Sequence, residues 1–144
     1  MLQDIVSNTQ ETSAPVAPPS SCFACSPNHP RGLRLQFHAN EKSEMIADWI
    51  PESDLEGYQG VIHGGIVSTV LDEAMAKVVS ASGMKGVTGE LRVRFRLPVN
   101  SGKKVCIRGW IERKSRLMVK TEASVTAADG RELAHGWATF LPMK

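Results

Sequence analysis

Gly60-Val61-Ile62-His63-Gly64-Gly65-Ile66-Val67-Ser68-Thr69-Val70-Leu71-Asp72-Glu73-Ala74 carries a glycine-rich turn into a helix that continues to about residue 82. On a 3.6-residue wheel, Ile66, Val67, Val70, Leu71, Ala74, Met75, Val78 and Val79 form a broad apolar band. Thr69, Asp72, Glu73, Ala76 and Ser80 fall on the opposite side. A helix apolar over more than half its circumference has to be wrapped, and a sheet does this most simply.

The flanking sequence supplies that sheet. Upstream, Leu33, Leu35 and Phe37 alternate with Arg34, Gln36 and His38, predicting a first strand. Asn40-Glu41-Lys42-Ser43 turns the chain, Met45, Ala47 and Trp49 alternate through a second strand, and Pro51 ends it. Gly83 closes the helix. Four strands then follow: residues 87–97, with Leu91, Val93, Phe95 and Leu97 on one face and Arg92, Arg94 and Arg96 on the other; Val105 to about Ile111; Leu117 to Val125; and Leu133 to Leu141. Lys114-Ser115-Arg116 and Asp129-Gly130 are the tight turns between them. The expected class is α+β, one long central helix wrapped by a curved antiparallel sheet of about six strands.

Size and charge narrow the rest. A chain of 144 residues builds one domain with one core. A net charge of +2 gives no footprint for nucleic acid. No apolar run approaches the roughly 20 residues that span a bilayer, and no basic segment leads into an apolar core as a secretory signal would. Three cysteines, an odd number, fit a reducing compartment, so the cytoplasm is the expected location. Residues 1–21, rich in proline and poor in large apolar groups, read as a mobile arm before a domain over 22–144. Cys22-Phe23-Ala24-Cys25 opens a loop running through Asn28, His29, Pro30 and Gly32. A CxxC supplies half of a zinc site, but no second CxxC exists, and Cys106, His29 or His38 would join only if folding gathered them. The loop is therefore expected to be a packed one with no metal.

Two features of the helix carry chemistry. Asp72 is ionised at neutral pH by its ordinary pKa and has no cation three or four residues away. Glu73 has Lys77 four residues on, a favourable helical ion pair, so a structural role accounts for it. At the helix start, His63-Gly64-Gly65 offers N–H groups without intrahelical partners, in the positive end of the helix dipole, with no side chains to block an approaching oxygen. That outlines an oxyanion hole, although a strain-relieving N-cap turn would use the same residues. Gly64 and Asp72 are eight residues apart, roughly 12 Å along a helix axis. One carbonyl cannot touch both in one chain, but two copies related by a two-fold axis bring one donor to the other's aspartate. If these residues act together, the protein is a homodimer or a dimer of dimers.

The segment from His63 to Ala74 resembles the helix motif of the hotdog-fold acyl-CoA thioesterases, nearest the phenylacetate-degradation (PaaI-like) type. Thr88-Gly89-Glu90-Leu91-Arg92-Val93-Arg94-Phe95-Arg96-Leu97-Pro98 resembles that family's strand after the helix, and Cys22-Phe23-Ala24-Cys25 with Asn28, Pro30, Gly32 and Leu33 resembles an entry loop of some members. The resemblance implies that Gly64 polarises a thioester carbonyl, with Gly65 beside it and His63 holding the turn. Asp72, from the partner chain, would be nucleophile or general base, and Thr88 would assist the attacking water. Many members carry Asn or Gln six residues before the histidine; here that position is Gly57, and Gln59 or Tyr58 would have to replace it in contacting substrate. Arg113, Lys114 and Arg116 resemble positions that face the coenzyme A phosphates. Arg92, Arg94 and Arg96 read rather as surface or a dimer-of-dimers contact, and Trp49, Trp110, Trp137 and Phe140 as core or interface. The expectation is a metal-independent acyl-CoA thioesterase with no cofactor beyond its substrate's coenzyme A. Its rivals are a non-catalytic acyl-CoA sensor on the same scaffold, a metal or redox module on Cys22 and Cys25, and a hotdog hydratase, for which no separate Asp/His pair is evident.

Overall fold

The structure is a computed structural model that describes residues 21–143. The arm expected over 1–21 lies, except for Ser21, outside the described residues. In chain order the elements are β1 (His38–Ala39), β2 (Met45–Trp49), a 3-10 turn (Ser53–Leu55), α1 (Gly64–Ala81), β3 (Gly86–Phe95), β4 (Val105–Lys114), β5 (Val119–Ala127) and β6 (Glu132–Pro142). The strands form one antiparallel sheet in the order β1-β2-β4-β5-β6-β3. α1 crosses the inner face of this sheet, carrying the chain from β2 beside one edge to β3 at the other. This is the hotdog arrangement that the residue pattern and the resemblance predict.

The helix is apolar because it is enclosed. From Ile66 to Ser80 no residue is exposed, and Val67, Val70, Leu71, Ala74, Met75, Val78 and Val79 are buried. They pack on Ile107, Val119, Ala123, Val125, Ala134, Ala138 and Phe140 from the inward positions of β4, β5 and β6. Fully burying a side chain such as Leu71, Met75 or Phe140 contributes roughly 1.5–3 kcal/mol relative to leaving it in water. At Gly109 the sheet comes so close to α1 that an added Cβ would lie 2.7 Å from the Ala74 carbonyl oxygen. Glycine there lets backbone meet backbone. Among the described residues, no helix is long and apolar enough to cross a membrane.

Two strands differ from expectation. The first, expected from Leu33, is ladder-paired only at His38–Ala39. Arg34 adopts a left-handed φ of 54°, and its guanidinium donates to the His29 and Pro30 carbonyls at 3.0 and 3.3 Å. The N–H groups of Leu33 and Leu35 instead bond Phe23 and Ala24 oxygens, both at 2.9 Å. Leu33 and Leu35 still reach the core, so the apolar alternation reported burial correctly and strand pairing incorrectly. The fifth strand begins at Val119 rather than Leu117, because the Ser115 hydroxyl accepts the N–H groups of Leu117 and Met118 and holds residues 115–118 as a turn.

The outer face of the sheet carries polar and aromatic groups in contact. Trp49 and Phe140 are buried, but Trp110 and Trp137 lie outside and flank His135, whose two ring nitrogens are each 2.8 Å from a carboxylate, Glu132 and Glu122. Arg92 stacks on Trp137 at 4.2 Å and Arg108 on Trp110 at 4.5 Å. Arg96 pairs with Glu132 at 3.0 Å.

Candidate active site

The first half of the site is the amino end of α1. His63 is the N-cap, and its Nδ1 accepts the Gly65 N–H at 2.9 Å, which fixes the proton of a neutral ring on Nε2. The His63 carbonyl accepts from Ile66 and Val67 at 2.9 and 3.2 Å. The Gly64 N–H has no acceptor among the described residues. Of the two glycines, then, Gly65 has its donor engaged by the cap, and Gly64 presents the free one in the positive end of the helix dipole. Gly64 lines a cleft of about 620 Å³ with Tyr58, His63, Val67, Phe95 and Val99. The Phe95 ring lies 3.5 Å from where a side chain on Gly64 would begin.

The second half lies midway along α1. Asp72 is half-buried, and the Thr88 hydroxyl donates to its Oδ1 at 2.7 Å. Burial raises the Asp72 carboxyl above its ordinary pKa, and the Thr88 hydrogen bond draws it partly back. A bulge explains how Thr88 reaches the helix. Thr88 opposes Phe140 while Glu90 opposes Thr139, so Gly89 is an extra residue in the ladder. Strict alternation would have put Thr88 on the outer face with Arg92 and Arg94; the bulge turns it inward, in phase with Leu91, Val93 and Phe95. A glycine inside a strand pattern is the sequence signal for this, and it went unread.

The remaining candidates divide clearly. Gly57 packs against the His63 ring, with a hypothetical Cβ 3.5 Å from His63 Cδ2, so the position for which the resemblance implies an amide does border the histidine. Tyr58 is 87% exposed on the rim of the cleft, and Gln59 is exposed beside it. Lys114 Nζ donates to the Ser82 carbonyl at 2.7 Å and so caps the far end of α1. Arg113 and Arg116 are exposed on the same hairpin. Glu73 pairs with Lys77 at 3.8 Å, as their spacing predicts, but its carboxylate also faces Cys22 and Cys25. Neither Cys106, His29 nor His38 joins that group. Phe95, missed as a site residue, forms a wall of the cleft; pattern alone gives it only a strand face.

Within one chain the halves stay apart: the cleft contains His63 and Gly64 but neither Asp72 nor Thr88. β3 runs alongside both, with Thr88 at the Asp72 end and Phe95 at the Gly64 end. Among the described residues β3 pairs with β6 alone, which leaves its other edge without a partner strand there, and Val87, Leu91 and Phe95 on it are exposed.

Comparison with known proteins places this geometry in context. Residues 59–134, from the cleft loop through the start of β6, match the Thioesterase superfamily. No curated protein is detectably similar in sequence. Among solved structures, a thioesterase superfamily protein superposes with a TM-score of 0.80 at 17% identity, over 83% of this chain but only 62% of that one. The smu.793 protein of Streptococcus mutans, solved bound to acetyl CoA, superposes at 0.71 with 21% identity over 76% of this chain and 88% of its own. The PaaI protein of the E. coli phenylacetic acid degradation operon superposes at 0.72 with 12% identity over 78% and 81%. A central helix in a six-stranded antiparallel sheet, with a family match spanning helix and sheet, makes this chain a member of the thioesterase superfamily with the hotdog fold.

Proposed function

We propose that the protein hydrolyses an acyl-CoA or aryl-acyl-CoA thioester to the free acid and coenzyme A, at two equivalent sites each shared between two subunits. The observation that carries this reading is the separation of the free Gly64 donor from the Asp72–Thr88 pair, with an edge strand that has no outer partner among the described residues running past both. Antiparallel pairing of two β3 strands about a two-fold axis at Arg92 opposes residues of the same face and, with Gly89 as the extra residue, sets Thr88 near the partner's Phe95. Each Asp72 then approaches the cleft in front of the other chain's Gly64, and the exposed apolar groups of β3 are covered.

In that cleft the thioester oxygen accepts the Gly64 N–H, where charge develops as the carbonyl becomes tetrahedral. Asp72 either attacks the carbonyl carbon or takes a proton from the attacking water; partial burial favours both by raising its basicity. Thr88 holds the carboxylate in place. The C–S bond breaks, and the thiolate of coenzyme A leaves and is protonated; where Asp72 is the nucleophile, the acyl group passes to it as an anhydride that water then hydrolyses to the free acid. The acetyl CoA bound to smu.793 supports a coenzyme A thioester as the substrate class. Arg113 and Arg116 are the cations proposed for its phosphates, and the coenzyme A of the substrate is the only cofactor the reaction needs.

A thiol-release screen over short, long and aromatic acyl-CoAs tests the reading, with Asp72→Ala as the control. Asp72→Ala should lower kcat by about 10²–10⁴ while the circular dichroism spectrum and unfolding transition stay unchanged. Saturable acyl-CoA binding with no thiol release from the unmodified protein would instead identify a sensor, an outcome to which Gly57 beside His63 lends weight.

A further inference from the structure

The Cys22–Cys25 loop lies over α1 rather than apart from it. The Sγ atoms of Cys22 and Cys25 and a carboxylate oxygen of Glu73 all fall within 4.8 Å of one another. We propose that these three side chains bind one zinc ion, with water in the fourth position, and that this ion fastens the entry loop to the helix.

Three observations support the site. Its donors come from two elements, and the loop half is held in place without them. The Ser26 N–H bonds the Cys22 carbonyl at 2.9 Å, and buried Ser26 accepts the Asn28 N–H on its own hydroxyl at 3.1 Å. Gly32 closes the loop so tightly that a Cβ would sit 2.5 Å from the Phe23 carbonyl oxygen. The ligands are also spaced for a small tetrahedral ion. With bonds of about 2.3 Å to sulfur and 2.0–2.2 Å to oxygen, donors stand roughly 3.3–3.8 Å apart, so closure needs a side-chain shift of about 1 Å. Finally, the surroundings suit thiolates. The Cys25 N–H donates to Cys22 Sγ at 3.3 Å, an outer hydrogen bond of the kind that orients metal-bound ligands.

Charge and ligand softness select the metal. Two thiolates and one carboxylate carry −3; a divalent ion and Lys77, 3.8 Å from Glu73, bring the cluster to neutrality. Asp72, next along the helix, is held by Thr88 and is not a ligand. Sulfur donors favour zinc over magnesium or calcium. His29, the nearest alternative in sequence, has its Nδ1 engaged by the Arg31 N–H at 3.1 Å. A disulfide would use the two sulfurs and leave the Glu73 carboxylate to its pairing with Lys77. The zinc plays no part in the thioester chemistry, so the two readings stand or fall separately.

Cobalt(II) is the probe, titrated into the reduced full-length protein, with displacement by zinc and elemental analysis after dialysis. The expected result is one ion per chain and a sulfur-to-cobalt charge-transfer band that zinc abolishes. Cys25→Ser should remove the band. Glu73→Gln, which keeps both thiols and the helix, should weaken binding at least about tenfold, and Cys106→Ser should leave it unchanged. A thermal unfolding scan should show zinc raising the Tm of the reduced unmodified protein but not of Cys25→Ser. The proposal is overturned by the absence of a charge-transfer band, by undiminished affinity in Glu73→Gln, or by a band that survives Cys25→Ser. Undiminished thioesterase turnover after chelation is compatible with it, which keeps this test distinct from that of the catalytic reading.

Discussion

Asp72 shows how a single residue can be legible in identity and illegible in environment. Its isolation from any cation, readable at i±3 and i±4, marked it as unexplained by helix chemistry, and the resemblance assigned it a reaction. Its partner could not be found by periodicity, because Thr88 reaches it only through the extra residue at Gly89. Removing that hydroxyl tests whether the contact matters. Thr88→Ala leaves a half-buried carboxylate without its donor, and hydrogen bonds to charged groups contribute about 1.5–3 kcal/mol, so kcat should fall by tenfold or more with KM little changed. Thr88→Ser, which restores the hydroxyl, should recover most of the rate. Equal loss in both variants, measured by thiol release, would mean that Thr88 acts through packing. Glu73 shows the opposite case. Its i,i+4 pairing with Lys77 was read correctly and closed the question too early, because a helical wheel does not show which loop lies over it.

At the level of elements, the long strands and the helix were readable because each buries one periodic face, and period 3.6 or 2 survives in the sequence wherever burial is one-sided. α1, β2, β4 and β6 appear close to where their patterns place them. β1 does not, because Arg34 interrupts the ladder while its apolar neighbours still turn inward. Sheet order was beyond the pattern, since alternation reveals a face but not a neighbour. One close inter-element contact was equally hidden: Gly109 alternates with Ile107 and Ile111 as any inward residue would, yet it is where the backbones of α1 and β4 touch. Gly109→Ala forces a Cβ to within 2.7 Å of the Ala74 oxygen and 2.8 Å of its carbonyl carbon, atoms that cannot rotate away. The helix must lift or the strand must bend, at a cost of about 1–3 kcal/mol by the usual scale of overpacking. Urea unfolding should show that loss as a lower midpoint at unchanged m-value. An unaltered midpoint would mean that helix and sheet can part at Gly109 without loss.

For the whole molecule, the decisive question is whether a reaction centre exists in one chain or only between two. The distance from Gly64 to Asp72 was available from helix rise alone, and the structure adds that β3 borders both and, among the described residues, ends the sheet without a further partner strand. Mixed dimers separate the two cases. Gly64→Pro deletes the proposed oxyanion donor with little disturbance: Gly64 is the first helical residue, where proline is well tolerated, and His63 already has the extended ψ of 135° that precedes proline comfortably. Asp72→Ala deletes the carboxylate. Each variant alone should be nearly inactive. After the two are mixed, unfolded together and refolded, half of the dimers are heterodimers by random association. In each of these, one site combines the intact Gly64 of the Asp72→Ala chain with the intact Asp72 of the Gly64→Pro chain, while the other site lacks both. Turnover should therefore return to about a quarter of the unmodified rate per chain. A site built within one chain would lack one group in every protomer, and mixing would restore nothing.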